Sequence, residues 1–345
     1  MPSASQWRKV AGVLAGVAAA LWMVGRVANV RSATGRISVD TGCQSDPSTI
    51  AAMRGLAPSA TRDAGPIRCE AWDIGTGVTG YVWHARNPRA VLLLQTGWGD
   101  YAQRYVNQGS RLIPHLLDRG ISVYAFDMWG SGRSPGKRGA THVGAWVADH
   151  RTARRKLRDQ PLPVFVLGHS VGGLVTVTSV LGDQTALHGM ILLAPTLDWG
   201  LSGFMRLVAR AGAFVVPTLP VPGTGGWDDV TRAPEAQRRL NADPLMYHGG
   251  LSWVTAGSGV TLSRENWARY RELRVPVLVL HGGADRAPDP SGSREFVALV
   301  TSPDKTLSII EGGLHALLDD TAGPEVLQKI LTWLDQRVPT ASTSR

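Results

Sequence analysis

The chain has little charge for its length, no visible internal repeat and almost no cysteine. Asp, Glu, Lys and Arg make up 18% of the 345 residues against 43% hydrophobic residues, which excludes wholesale disorder and leaves material for a large core. Without a repeat, the length reads as one large α/β domain with an insertion or as two ordinary domains. The two cysteines, Cys43 and Cys69, both precede the first clear strand. They fit one disulfide of an exported protein or two free thiols, and the sequence leaves both open. Cys43 follows "VDTG" far from the start, a poor context for lipidation. The formal net charge of +9 comes with no nucleic-acid recognition motif, so nucleic acid is not an expected partner.

The positive charge is unevenly placed. Arg8, Lys9, Arg26, Arg31 and Arg36 face only Asp40 at the start of the chain, and a second group lies in "HRTARRKLRD", residues 150–159. Helical spacing puts Arg151, Arg154, Arg155 and Arg158 on one face, expected to be solvated. Attraction to anionic lipid headgroups is the sharper alternative. Near the N-terminus, "VAGVLAGVAAALWMVG" (10–25) carries no charge. Counted on to Val30, with Arg26 snorkelling near one end, it is long enough to span a bilayer. No small-residue cleavage site follows it, so residues 1–30 are expected to be an uncleaved anchor over a removed signal. The protein is then membrane-anchored or exported, with the extracytoplasmic side favoured. Positive charges on both flanks leave the orientation open. Residues 31–65, rich in Ser, Thr, Gly, Ala and Pro, read as a lead-in.

From Ile67 the pattern changes to short β-rich runs and then to strands alternating with helical segments. "IRCEAWDIG" and "GVTGYVWHA" read as a hairpin. "AVLLLQT", "ISVYAFD", "PVFVLG", "HGMILLAP", "VPVLVLHG" and "KTLSIIEG" read as strands, with helices between them. Such alternation implies a mostly parallel sheet covered by helices on both faces. The alternation stops between about 198 and 273, where an apolar helical run, "LSGFMRLVARAGAFVVP", precedes the turn-rich "TLPVPGTGG". The expected organisation is an α/β core over 66–197 and 274–340, with a helical cap inserted at 198–273.

Inside this frame, "GHSVG" matches G-x-S-x-G at Gly168, Ser170 and Gly172. A strand stands directly before it and a helix directly after, as a nucleophile elbow requires. The sharp turn tolerates only small flanking residues, lifts the serine oxygen above the sheet edge and leaves the Val171 N–H at a helix start. Serine needs a base, and the base needs an orienting group. In chain order the acid should precede the histidine, each just past a strand. His315, in "EGGLHALLDD", follows the last strand, and Asp285 follows "VPVLVLHGGA"; Asp198 is the alternative acid. A second oxyanion donor should come from the loop after an early strand. "LLLQTGWGDYAQRY" supplies one, with Trp98 as the expected N–H donor beside Val171. These residues describe acyl transfer to water by Ser170, His315 and Asp285 with no metal or organic cofactor.

At these motifs the chain resembles the monoacylglycerol lipases and lysophospholipases of the α/β-hydrolase superfamily, from about Gly80 to Leu334. The resemblance rests on "TGWGDYAQRY", "YAFDMWGSGRSPGKRG", "LPVFVLGHSVGGL", "LNADPL", "VPVLVLHGGADR" and "GGLHALLDD". It implies a serine hydrolase acting on a lipid ester, with water as co-substrate and with Ser170, Asp285 and His315 as triad. It also implies Trp98 and Val171 as oxyanion donors. Broad small-ester hydrolysis, thioester or peptide cleavage, and non-catalytic lipid binding are the alternatives on this fold. Thr96 stands where the family has a histidine before the oxyanion glycine, and Met128 and Ser131 stand where it has histidines in the Asp-x-x-Gly-x-Gly segment. These departures bear on acyl and glycerol specificity and leave the triad untouched.

Overall fold

Residues 67, 69–286 and 288–339 are described in a computed structural model of the chain. The expected anchor, the whole of the lead-in segment and Cys43 lie outside them. Cys69 is disulfide-bonded, which removes the free-thiol reading for that residue. Among the described residues no helix is long and apolar enough to cross a membrane.

The apolar runs build one eight-stranded sheet in the order β1-β2-β4-β3-β5-β6-β7-β8. Strands β1 (Glu70–Ala71) and β2 (Gly80–Trp83) form the expected hairpin, and β2 lies antiparallel to β4 (Ile121–Phe126). All remaining pairs are parallel: β3 (Ala90–Gln95), β5 (Val164–His169), β6 (Leu187–Leu193), β7 (Val277–Gly282) and β8 (Lys305–Ile310). Strands β3, β5 and β7 are buried along their whole length, as strands covered on both faces must be. The mostly parallel sheet with helices on both faces is the α/β-hydrolase fold.

Helices α1 (Arg104–Asn107), α2 (Leu112–Asp118) and α9 (Gly323–Asp335) cover one face. The other carries α3 (Val143–Leu157), α4 (Val171–Gly182) and α8 (Ser291–Leu299). Between β6 and β7 the chain leaves the sheet for α5 (Gly203–Val215), α6 (Pro234–Ala242) and α7 (Trp253–Trp267). A Cβ at Gly257 would lie 2.7 Å from both the Ala209 carbonyl and the Ala213 side chain, so glycine is what lets α7 seat against α5. The opposite side of α5 leaves Phe204, Leu207 and Phe214 exposed.

One expectation fails on α3. Arg154 is only 8% exposed. It shares the inward stripe of His150, Ala153 and Leu157, the i, i+3, i+4, i+7 positions that pack on α4, while Arg151, Arg155 and Arg158 face outward. Its guanidinium donates to Ser179 Oγ at 3.1 Å and to the Asp183 carbonyl. The run is therefore not a uniformly solvated face.

Chain order decides where chemistry can occur. The chain passes from β3 to β4 on one side and then returns to β5 on the other, so β3 and β5 are neighbours whose following loops diverge. That topological switch opens a crevice at the carboxyl ends of the strands. Register finishes the job: Gln95 stands beside Gly168, which brings the loop after β3 against the turn after β5.

Candidate active site

Ser170 occupies the turn from β5 into α4 with φ 55° and ψ −125°. A non-glycine residue there carries strain of about 1–3 kcal/mol, which persists only where the surroundings hold it. They do: Ser170 N–H donates to the Leu193 carbonyl at 2.9 Å, and its own carbonyl accepts from Gly173 (2.9 Å) and Thr196 (3.0 Å). The flanking glycines are steric requirements. A Cβ at Gly168 would stand 2.5 Å from Thr176 Oγ1, and one at Gly172 only 2.2 Å from the Thr96 carbonyl.

The two other expected partners arrive from the adjacent strand ends. Asp285 follows β7 and His315 follows β8 through Gly312 and Gly313. A Cβ at Gly282 would sit 2.3 Å from the Gly313 carbonyl, and Ala284 N–H donates to that carbonyl at 3.0 Å, so the two loops interlock. The Ser170 hydroxyl lies 2.9 Å from His315 Nε2, and His315 Nδ1 lies 2.8 Å from Asp285 Oδ2. Asp198, the alternative acid, is exposed and packs beside Gly292. Asp285 is buried, and a second histidine, the fully buried His281, reaches the same oxygen at 3.4 Å. His281 is held by Ser293 Oγ (2.7 Å) and the Pro288 carbonyl (3.1 Å), and so walls in the carboxylate.

Trp98 and Val171 flank the serine from two sides. Val171 is the first residue of α4, whose leading N–H groups have no partner within the helix. Trp98 follows Gly97 in a turn closed by Asp100 N–H on the Gly97 carbonyl, a bond that does not use the Trp98 N–H. A Cβ at Gly97 would touch Ser170 Cβ at 3.2 Å, so this loop runs directly against the serine. The indole of Trp98 stacks edge-on against Tyr247 of the insertion at 5.3 Å.

Sequence reasoning missed the ionic frame behind these loops. Arg104, almost fully buried, donates to Asp100 at 2.8 and 3.0 Å and to Asp319 at 2.7 Å. It thereby ties the loop after β3 to the segment after His315. Burial alone would push the Asp100 carboxyl up, but the Arg104 guanidinium outweighs it and holds the group below its ordinary range. The visible signal was the i, i+4 spacing of Asp100 and Arg104. The insertion joins the same frame: Ala316 N–H donates to the Val230 carbonyl (2.8 Å), and Thr231 Oγ1 donates to the Asp319 carbonyl (3.0 Å). Arg232 pairs with Asp320.

His169, next to the serine, makes long contacts with Tyr105 Oη and the His315 carbonyl, both at 3.4 Å. Burial, then the neighbouring His315, brings its pKa down to about 4. Asp127, which accepts from Tyr81 Oη, Ala102 N–H and Arg133 N–H, is pushed up to about 6 by burial despite those bonds. The two groups pull stability in opposite directions over one pH window. The Asp127 contribution is complete below about pH 4 and is lost as pH rises through about 6; that of His169 is complete above about 6.5 and is lost as pH falls through about 4. His169→Asn removes one of the opposing contributions, so urea unfolding is expected to show the variant gaining stability relative to wild type between about pH 6.5 and 4.5. A wild-type-to-variant difference that stays flat over that interval would count against the His169 assignment.

Comparisons with known proteins give the family. A family model described as serine aminopeptidase, S33, matches residues 86–322. The monoacylglycerol lipase of Mycolicibacterium smegmatis is 32% identical over 253 residues, covering 72% of this chain and 89% of that protein. The chain belongs to the monoacylglycerol lipase family of the α/β-hydrolases. Human monoglyceride lipase, a further member, is 32% identical over 271 residues, 74% of this chain and 86% of its own. The crystal structure of Paleococcus ferrophilus monoacylglycerol lipase superposes with a TM-score of 0.67 at 27% identity, covering 78% of this chain and 99% of that one. Membership makes the protein a serine ester hydrolase acting on lipid esters.

Proposed function

We propose that the protein hydrolyses monoacylglycerols through an acyl-enzyme formed on Ser170. The observation that carries this reading is the continuous contact from Ser170 Oγ through His315 to Asp285, at 2.9 and 2.8 Å. His315 Nε2 takes the serine proton as Oγ attacks the ester carbonyl, and returns it to the departing glycerol oxygen. Asp285 accepts from Nδ1–H, fixing the tautomer that leaves Nε2 free to act as base. The N–H groups of Val171 and Trp98 meet the oxyanion, a contribution of roughly 3–4 kcal/mol per donor. Water, activated by the same imidazole, then releases the fatty acid.

Two observations favour a lipid substrate with one acyl chain. The named relatives are monoacylglycerol and monoglyceride lipases. The outer face of α5 keeps Phe204, Leu207 and Phe214 64–72% exposed, an apolar patch suited to drawing substrate from a lipid phase. The test is a panel of monoacylglycerols of graded chain length, lysophosphatidylcholine, p-nitrophenyl acetate and aminoacyl p-nitroanilides. The highest kcat/KM is expected on a long-chain monoacylglycerol. Activity confined to acetate esters or to the anilides would overturn the assignment, and preference for the lysolipid would reassign the head group.

A further inference from the structure

At the end of the sheet opposite Ser170, the carboxyl ends of α3 and α4 and the starts of β5 and β6 enclose a cavity of about 170 Å³. It is lined by Arg151, Arg154, Arg155 and Arg158, with Asp183 as the one acidic residue among its lining. At ~30 Å³ per water this is room for about six water molecules, hence for one phosphoryl group with its immediate hydration. The geometry points to a binding site for a phosphate monoester or inorganic phosphate in this cavity, distinct from the catalytic centre.

Three observations support the site. The first is charge: four guanidinium groups face one carboxylate, and that carboxylate is already paired with Arg158 and accepts from Thr185 N–H. The second is the state of Arg154. It is 92% buried, its Nε–H has no acceptor among the described residues, and its surroundings are short of negative charge. Burial, offset only in part by Asp183 and compounded by Arg158 and Arg151, brings its pKa down to about 10. A buried cation without full compensation is costly, and an arriving dianion relieves that cost. The third is donor supply. Each guanidinium offers five N–H groups in a planar fork suited to phosphate oxygens. The protein's acceptors take few of them: Arg151 bonds the Thr178 carbonyl, Arg154 bonds Ser179 Oγ and the Asp183 carbonyl, and Arg155 bonds Thr152 Oγ1. Thr178 lies in the C-terminal half of α4 and Asp183 is its cap, so part of the negative end of that helix is already met by arginine.

Strand β5 separates this cavity from the nucleophile: Val164 lines it and His169 precedes Ser170, about 20 Å apart at ~3.3 Å per residue. Occupancy is therefore expected to leave hydrolysis unchanged. The test compares the full-length enzyme with an R155E/R158E double variant, which alters two exposed side chains and keeps the buried Arg154. In one arm, sodium phosphate is titrated at ionic strength held constant with chloride, and thermal unfolding is followed. Phosphate is expected to raise the wild-type midpoint, with the double variant binding roughly tenfold or more weakly. In the other arm, both proteins are sedimented with phosphatidylcholine vesicles with and without phosphatidic acid. A wild-type excess confined to the phosphatidic acid vesicles assigns the site to a lipid headgroup, and a response to free phosphate assigns it to a soluble ligand. If the variant matches wild type in both arms, or neither protein responds, the site does not exist. Turnover of a soluble ester, measured alongside, is expected to be equal in the two proteins.

Discussion

Ser170→Ala is expected to lower kcat by roughly 10⁶-fold while KM changes little, and to abolish labelling by a fluorophosphonate probe. Alanine occupies φ 55° no worse than serine does, and the three backbone hydrogen bonds that hold the turn do not involve the side chain. The variant should therefore fold, and its loss can be read as chemistry. What disappears is the attacking oxygen 2.9 Å from His315 Nε2; what remains, the oxyanion donors and the binding surface, sustains a residual rate of about 10³–10⁴ over water. A variant that kept activity near wild type, or took up the probe equally, would remove Ser170 from the mechanism.

Asp285→Asn is the second large effect, about 10⁴-fold in kcat. The amide presents either an N–H that cannot face Nδ1–H or an oxygen that is a weaker partner for the imidazolium. The first choice flips the tautomer and turns Nε2–H toward the serine, where a base is needed. The side chain is isosteric and buried against His281, so stability should suffer less than rate. Asp198→Asn serves as the control. It is expected to behave as wild type, since Asp198 is exposed beside Gly292. If the two variants exchanged phenotypes, Asp198 would be the orienting acid.

The parts of this molecule that could be read from sequence are those fixed by local sterics and by chain order. The G-x-S-x-G turn is legible because clashes at Gly168 and Gly172 admit nothing larger. Asp285 and His315 are legible because parallel strands deliver their following loops to one edge of the sheet. Arg154 was misread because spacing says which residues share a helix face and not which face turns inward; the packing of α3 on α4 decided that. The Arg104–Asp100–Asp319 cluster is only half legible, for another reason. Half of it is local and half comes from a segment some 215 residues away, and nothing in a linear pattern announces the meeting. Residues 230–232 pose the same difficulty, since their partners Ala316, Asp319 and Asp320 lie more than 80 residues away in the chain.

The glycines around Ser170 also bear on descent. Their clashes are with carbonyl oxygens, neighbouring backbone and the Thr176 hydroxyl, and none of those contacts involves the serine oxygen. A lineage that abandoned hydrolysis would be free to change Ser170, Asp285 or His315, yet still obliged to keep Gly168 and Gly172 for the strand-to-helix corner to close. In a pedigree of such chains the glycines should outlast the serine. A sequence bearing the corner without its nucleophile would then be a retired enzyme, recognisable by its scaffolding.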